Sequence, residues 1–497
     1  MNSMTTATLT SARPELADPT LLREAALIGG EWLPVGPDGG IEVTSPADGA
    51  PIGRVPACGK AETEAAIAAA NAAWGGWKAR TAHERAALLE RWHALVLANA
   101  EDLARIMTAE QGKPLAEARG EIAYAATFIK WFAEEGRRIS GHTVAAPERN
   151  RRIIVLMEPI GVSAAITPWN FPAAMITRKC APALAAGCPV VIKPSELTPF
   201  TALALVELAM RAGLPEGTMN IVTGMPGEIG AAITASPVVR KLSFTGSTRV
   251  GSLLMEQSAK TIKKLSLELG GNAPLLVFED ADLDLAVSAT MASKFRNSGQ
   301  TCVCANRIFV ADAIYDEFAA RLAKAAGALN AGPGMESGTT MGPLINAAAV
   351  AKVRNHYEDA LSHGGKLLTQ GSGREGGNFV RSIVMTGANP DMLLAREETF
   401  GPLAALFRFG SEAEALDLAN ATDYGLASYF YTRDLSRAFR VAERLESGMV
   451  VLNTGGIAME MAPFGGVKQS GLGREGGREG MEEYLETKAF HIGGLEI

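Results

Sequence analysis

Cys302 is the residue in this chain whose type and setting point most directly to chemistry. It lies in Asn297-Ser298-Gly299-Gln300-Thr301-Cys302-Val303-Cys304, just after a predicted helix over Leu283 to Lys294. A structural cysteine usually sits in an apolar run, where it behaves as a small hydrophobe. Here glycine, amide and hydroxyl neighbours leave it in a polar turn where sulfur can face a ligand. A free thiol with a pKa of about 8.5 is only a few per cent ionised at neutral pH, yet it is already a strong nucleophile. Alone, the segment fits an inert buried cysteine equally well. Cys304 is either a plain neighbour or a redox partner, able to close a thiol-reversible disulfide over the nucleophile.

Further candidates stand at the ends of predicted strands, where parallel α/β sheets bind ligands. Thr167-Pro168-Trp169-Asn170-Phe171-Pro172 holds an asparagine between an aromatic pair and two prolines, offering a side-chain amide. The same residue also suits a simple turn. Lys193-Pro194-Ser195-Glu196 places an acid where nucleotide folds bind a ribose, and a carboxylate there repels a 2′-phosphate. Thr245-Gly246-Ser247-Thr248 is a glycine turn feeding a helix, whose free N–H groups suit a phosphate or need only a cap. Glu268, between Leu267 and Leu269, is set for a raised pKa and general-base work, or for an inter-domain salt bridge. Arg396-Glu397-Glu398-Thr399-Phe400-Gly401-Pro402 adds an acid and a ring before a Gly-Pro stop.

The elements that must hold these residues follow from the hydrophobic pattern. An alanine-rich helical stretch runs from Glu62 to Glu135, with its clearest helices at Ala66 to Trp77 and Glu84 to Asn99. Short apolar runs then alternate with helices. Strands are predicted at Val162 to Ile166, Pro189 to Lys193, Asn220 to Thr223, Lys241 to Thr245 and Lys264 to Glu268. After Gly270-Gly271 a second series has strands near Leu275 to Phe278, Arg307 to Val310, Ala404 to Phe409, Ser428 to Tyr431 and Met449 to Asn453. This alternation specifies two doubly wound α/β domains. Arg151 to Glu158 and Thr487 to Gly493 read as edge strands of a small β arm, able to pair across subunits.

The totals agree with a soluble globular protein of more than one domain. A chain of 497 residues is too long for one core. A formal net charge of -7 argues against non-specific nucleic-acid binding. Five cysteines make no disulfide framework at this length, and six histidines without His-x-x-His or Cys-x-x-Cys spacing give no metal site. With no eighteen-residue apolar run and no leader-like start, the expectation is a cytoplasmic protein without a membrane span.

In order along the chain, Pro168-Trp169-Asn170-Phe171-Pro172, Lys193, Glu196, Phe244-Thr245-Gly246-Ser247-Thr248, Glu268-Leu269-Gly270-Gly271, Gly299-Gln300-Thr301-Cys302 and Glu398-Thr399-Phe400-Gly401-Pro402 resemble the NAD(P)-dependent aldehyde dehydrogenase superfamily. The likeness spans about Leu27 to Gly493. It implies a flexible tail over 1-22, an NAD-binding domain from 23-145 and 163-269, a catalytic domain over 270-484, and an oligomerisation arm from 146-162 and 485-497. It also implies a homodimer or homotetramer. Cys302 would attack the aldehyde, Asn170 would hold the oxyanion, and Glu268 would activate water against the thioester. Lys193 and Glu196 would hold the adenosine ribose of NAD (NADP being the less favoured cofactor), Trp169, Thr245, Gly246 and Ser247 the pyrophosphate region, and Glu398 and Phe400 the nicotinamide end.

Within the superfamily, Met175-Ile176-Thr177-Arg178-Lys179, Lys294-Phe295-Arg296-Asn297 and Pro463 to Glu475 resemble the succinate-semialdehyde dehydrogenase group. Arg178 and Arg296 would then grip a distal carboxylate, a role that suits planar guanidinium groups. One departure stands at Ala458-Met459, where that group often carries a serine hydroxyl. It keeps glutarate or 2-oxoglutarate semialdehyde open as the substrate. The rival readings are a dehydrogenase of uncharged aliphatic or aromatic aldehydes, with both arginines structural, and a non-catalytic binding protein.

Overall fold

Two parallel sheets, each covered by helices on both faces, divide the molecule. In the computed structural model, residues 12–37 and 39–496 are described. The first sheet has eight strands in the spatial order Glu31–Pro34, Ala25–Ile28, Met219–Ile221, Val190–Lys193, Val162–Ile166, Val239–Thr245, Lys264–Glu268 and Gly471–Leu472. The five strands from Met219–Ile221 to Lys264–Glu268 run parallel. Ala25–Ile28 and Gly471–Leu472 run antiparallel to this set, and Glu31–Pro34, antiparallel to Ala25–Ile28, returns to its direction. The second sheet has seven strands, ordered Lys366–Gln370, Ile383–Thr386, Leu403–Phe409, Ala305–Ala311, Ala273–Val277, Ala427–Tyr431 and Met449–Leu452. All but the first of these are parallel.

The near-continuous apolar strands are explained by burial on both faces. Successive side chains of a strand point to opposite sides. Ala165, Val190 and Ile192 therefore enter one core, while Ala164, Ile166 and Val191 enter another. The second sheet repeats the device, with Leu275, Ile308 and Val310 on one side and Leu276 and Phe309 on the other. These alternations make the doubly wound class physical rather than formal.

Two expectations change in detail. The tail expected over 1-22 is anchored from Ala12 onward, and the residues before Ala12 lie outside those described. Ala12 N–H donates to the Pro51 carbonyl at 3.0 Å. Ala17 and Asp18 donate to the Asp102 carboxylate at 2.9 and 2.8 Å, and Leu21 is fully buried. An apolar side chain with a core to enter holds its backbone down.

The two arm strands pair with each other within the chain, and Arg152–Pro159, read as an edge strand, stands in the middle of the three-stranded sheet. Arg152–Pro159 and Leu485–Ile492 form an eight-residue antiparallel ladder within one chain, from Leu485 opposite Pro159 to Ile492 opposite Arg152. His142–Val144 adds a third strand.

Candidate active site

A cavity of about 410 Å³ lies between the two sheets. Cys302, Asn170, Arg178, Arg296, Trp169, Thr245, Gly246, Ser247, Glu398 and Phe400 line it, so ten of the residues singled out in the sequence meet there. Glu268, Lys193, Glu196 and Cys304 do not line it.

The nucleophile loop is built from strained backbone. The helix Leu283–Lys294, capped by Asp282, ends as expected. Asn297, Ser298 and Gly299 then take φ of 51°, 55° and 76°. Two consecutive left-handed non-glycine residues are costly and need surrounding bonds to hold them. Those bonds are present. Asn297 N–H donates to Glu117 Oε2 at 2.8 Å, and Ser298 Oγ donates to the Gly342 carbonyl at 2.8 Å. Ile345 N–H donates to Gln300 Oε1 at 2.9 Å. At Gly299 a Cβ would sit 2.3 Å from the Gly401 carbonyl oxygen, so only glycine fits.

Asn170 Nδ2 donates to the Gln300 carbonyl at 3.0 Å, which leaves its second N–H free for a ligand oxygen. The Cys302 backbone N–H has no acceptor among the described residues. Two such donors beside a nucleophile have the composition of an oxyanion hole. The Cys302 thiol itself is pushed up to about 12 by burial, with the Glu398 and Glu268 carboxylates adding to the shift and Arg178 and Arg296 opposing it. At neutral pH it therefore rests protonated.

Glu268 ends the strand Lys264–Glu268 and is buried, with neither carboxyl oxygen hydrogen-bonded. Burial, reinforced by the neighbouring Glu475 carboxylate, raises its pKa well above the ordinary carboxylate value. Glu475 is held the other way, because the buried Lys179 ammonium pairs with it and Ser243 Oγ donates to it at 3.0 Å. Lys179 Nζ also donates to Thr245 Oγ1 at 2.7 Å, which brings this buried charge cluster to the cavity wall.

The two arginines differ. Arg178 is 3% exposed, donates to the Tyr124 hydroxyl at 2.8 Å and lies 3.7 Å from Glu475. Its guanidinium stacks 4.2 Å from the centre of the Phe464 ring, and its Nε–H is unpaired. Arg296 is exposed and lies 5.1 Å from the Phe171 ring centre. The internal pairing left open in the sequence thus applies to Arg178, while both side chains line the same cavity as Cys302.

Cys304 is buried with its thiol 3.5 Å from the Lys294 carbonyl oxygen, and all five cysteines are free. Among the described residues no cluster of metal-ligating side chains occurs, and no helix is long and apolar enough to cross a membrane.

The residues present fit a dinucleotide. The helix Thr248–Ser258 opens at the cavity with Ser247 as its cap, and its first N–H groups have no intrahelical partner. Glu398 accepts from Gly271 N–H at 3.3 Å, and burial brings its carboxyl to about 7. Phe400, at φ 55°, packs edge-on to Trp169 with centroids 5.6 Å apart. Lys193 Nζ donates to Glu196 Oε2 at 2.7 Å on the neighbouring strand end, away from the cavity.

Sequence reasoning missed Lys113, Glu121, Tyr124, Lys179 and Glu475. Lys179 and Glu475 are 296 positions apart, and no local pattern links them.

Known proteins bear on this arrangement. The chain is 59% identical to a glutarate-semialdehyde dehydrogenase of Pseudomonas putida, over 96% of this chain and 99% of that one. It is 58% identical to the NADP(+) succinate-semialdehyde dehydrogenase of Escherichia coli, over 96% of this chain and all of that one. The crystal structure of a succinate-semialdehyde dehydrogenase from Burkholderia pseudomallei superposes with a TM-score of 0.95 at 60% identity, covering 97% of this chain and 100% of the other. The sequence profile described as the aldehyde dehydrogenase family matches residues 32–490, nearly the whole chain. Matched over nearly its whole length by that profile and by these relatives, the chain belongs to the aldehyde dehydrogenase family.

Proposed function

We propose that this protein oxidises an aldehyde bearing a distal carboxylate, succinate semialdehyde first, to the dicarboxylate through a Cys302 thioester. The observation that carries the reading is the presence of Arg178 and Arg296 on the wall of the cavity that holds Cys302. An anion held by two guanidinium groups orients the aldehyde so that one carbonyl carbon meets sulfur. Glutarate semialdehyde is the second reading, supported by Ala458, which lines the cavity and brings no hydroxyl. The relatives carry names of both kinds.

The chemistry divides among the chain's own groups. Cys302 Sγ adds to the carbonyl carbon and its proton leaves to a base. The oxyanion is received by Asn170 Nδ2–H and the Cys302 N–H. A dinucleotide, when bound, supplies the hydride acceptor and a cationic ring. Glu268, ionised, takes a proton from water as that water attacks the thioester, and the carboxylic acid departs with the thiol restored. The raised pKa of Glu268 suits it to this exchange, since a carboxylate of ordinary acidity is a weak base at neutral pH.

For the cofactor we favour NAD over NADP, because the Glu196 carboxylate opposes a 2′-phosphate. Lys193, at 2.7 Å, partly offsets that charge, so the discrimination is modest. Glu196→Gln is expected to raise kcat/KM for NADP about tenfold relative to NAD, measured at fixed aldehyde. We also read the three-stranded arm as the oligomerisation element, with Phe490 and Leu156 half-exposed on it.

The deciding experiment measures kcat/KM for succinate semialdehyde, glutarate semialdehyde and butanal, each with NAD and with NADP. A preference for the acids by about a hundredfold supports the reading. Equal rates with butanal refute it.

A further inference from the structure

One face of the helix Leu115–Gly136 touches each working part of the site in turn. Glu117, Glu121, Tyr124 and Phe128 follow at spacings of four, three and four, which puts them on one helical stripe. Glu117 accepts from Asn297 N–H in the nucleophile loop. Tyr124 accepts from Arg178, and Phe128 lies 5.2 Å from the same guanidinium. Glu121 accepts from the N–H groups of Ala173 and Ala174 at 3.0 and 3.3 Å, at the start of the helix Ala174–Ala186, and pairs with the buried Lys113 ammonium.

Lys113 is the informative member. Its Nζ donates to the Asn170 carbonyl at 2.9 Å and lies 4.2 Å from the centre of the Phe171 ring. The Asn170 segment has no ladder to fix it but scattered bonds: Thr198 Oγ1 donates to the Trp169 carbonyl at 3.4 Å, Met175 N–H to the Phe171 carbonyl at 3.1 Å, and Asn170 Nδ2 to the Gln300 carbonyl. Residues 167–173 form neither helix nor strand, and Pro168 and Pro172 have no N–H to bond. The Asn170 carbonyl is instead held by two side-chain donors, Lys113 Nζ and Asn297 Nδ2, the latter at 3.1 Å. A buried ion pair is a poor source of stability, because an apolar pair of the same volume commonly does as well. Its use here is geometric.

We propose that Lys113 and Glu121 are positioning residues of the oxyanion site, fixing the Asn170 peptide so that its side-chain amide meets the substrate oxygen. The proposal rests on the reading of Asn170 as an oxyanion donor. The pair acts on any step that places negative charge on that oxygen, and it leaves dinucleotide binding alone. It also assigns a task to a lysine that the sequence alone does not single out.

The test uses full-length protein and cleavage of p-nitrophenyl acetate by Cys302 without dinucleotide, which reads the oxyanion site with no hydride transfer. Four forms are compared: the wild type, Asn170→Ala, the double variant Lys113→Met/Glu121→Gln, and the triple combination. Asn170→Ala is expected to lower kcat/KM about a hundredfold. The double variant is expected to lower it about tenfold in the wild-type background and less than twofold in the Asn170→Ala background. The dinucleotide Kd, from quenching of tryptophan fluorescence, should stay within twofold of wild type. Should the double variant not fold, Glu121→Gln alone keeps an acceptor for both backbone N–H groups and goes through the same cycle, with about a threefold loss that vanishes without Asn170.

Equal losses in both backgrounds, or a parallel loss of dinucleotide affinity, would overturn the proposal while leaving the donor role of Asn170 intact. No loss in Asn170→Ala itself would overturn both the donor role and the pair that serves it.

Discussion

The two sides of Cys302 are built on opposite terms. On one side Asn170, Gln300 and Ser298 have their side chains tied to backbone groups, and even the Asn170 carbonyl has two donors. On the other, Glu268 is buried with neither carboxyl oxygen hydrogen-bonded, and Glu475 Oε2 has no hydrogen bond and meets only the Arg178 guanidinium at 3.7 Å. Satisfied dipoles do not reorganise, and that is what stabilising a transient oxyanion requires. A carboxyl given the same donors would be held ionised and become a weaker base. On the proposed mechanism, hydrogen bonds are placed where geometry matters and are absent where basicity matters.

The sharpest way to break this comparison is Glu268→Gln. Steady-state turnover should fall about a thousandfold, while the first-turnover burst of reduced dinucleotide persists in stopped-flow absorbance. Loss of the burst as well would show that the two sides are not separable. The same carboxyl sets a pH dependence. Its folded pKa is raised, so its ionised form is reached only at higher pH, and kcat should climb as pH rises through that folded value. Stability runs the other way, since a raised carboxyl favours the fold below its unfolded pKa and loses that advantage as pH rises through the folded value. Glu268→Gln should remove the pH-dependent limb from kcat, and its melting temperature relative to wild type should rise with pH.

The arginines extend the contrast at the far end of the cavity. Arg178→Ala and Arg296→Ala should each raise KM for succinate semialdehyde by about ten- to a hundredfold and leave butanal nearly unchanged. Only Arg178→Ala should also cost stability, about 3 kcal/mol by chemical denaturation, because it leaves buried Glu475 with one cation fewer. The smallest effect belongs to Ala458→Ser, which should lower KM for succinate semialdehyde about tenfold relative to glutarate semialdehyde if its hydroxyl reaches the carboxylate.

Much of this was legible because parallel sheets present their strand ends to ligands, and an odd residue at such an end stands out. Asn170 between prolines and Glu268 between leucines are of that kind. The helix stripe of Glu117, Glu121 and Tyr124 was not legible, since alanine-rich helical text makes polar residues look solvent-facing. Here they face another layer of protein. Lys179 and Glu475 escaped because their partnership exists only after folding. Pattern alone did not name the partners of the arm strands: Arg152–Pro159 reads as an edge strand yet lies between Leu485–Ile492 and His142–Val144.

The short strand Gly471–Leu472 closes the first sheet beside Lys264–Glu268, with Gly471 opposite Glu268 itself. The strand of the proposed base is thus flanked by residues from near the end of the chain, and Glu475 follows immediately after. A chain emerging during synthesis exposes the thiol at position 302 long before that closing strand exists. Such long-range closure is slow and comes late in folding. On the proposed mechanism, a chain cut before Gly471 would keep the Cys302 thiol while the strand that carries the base lost its outer neighbour.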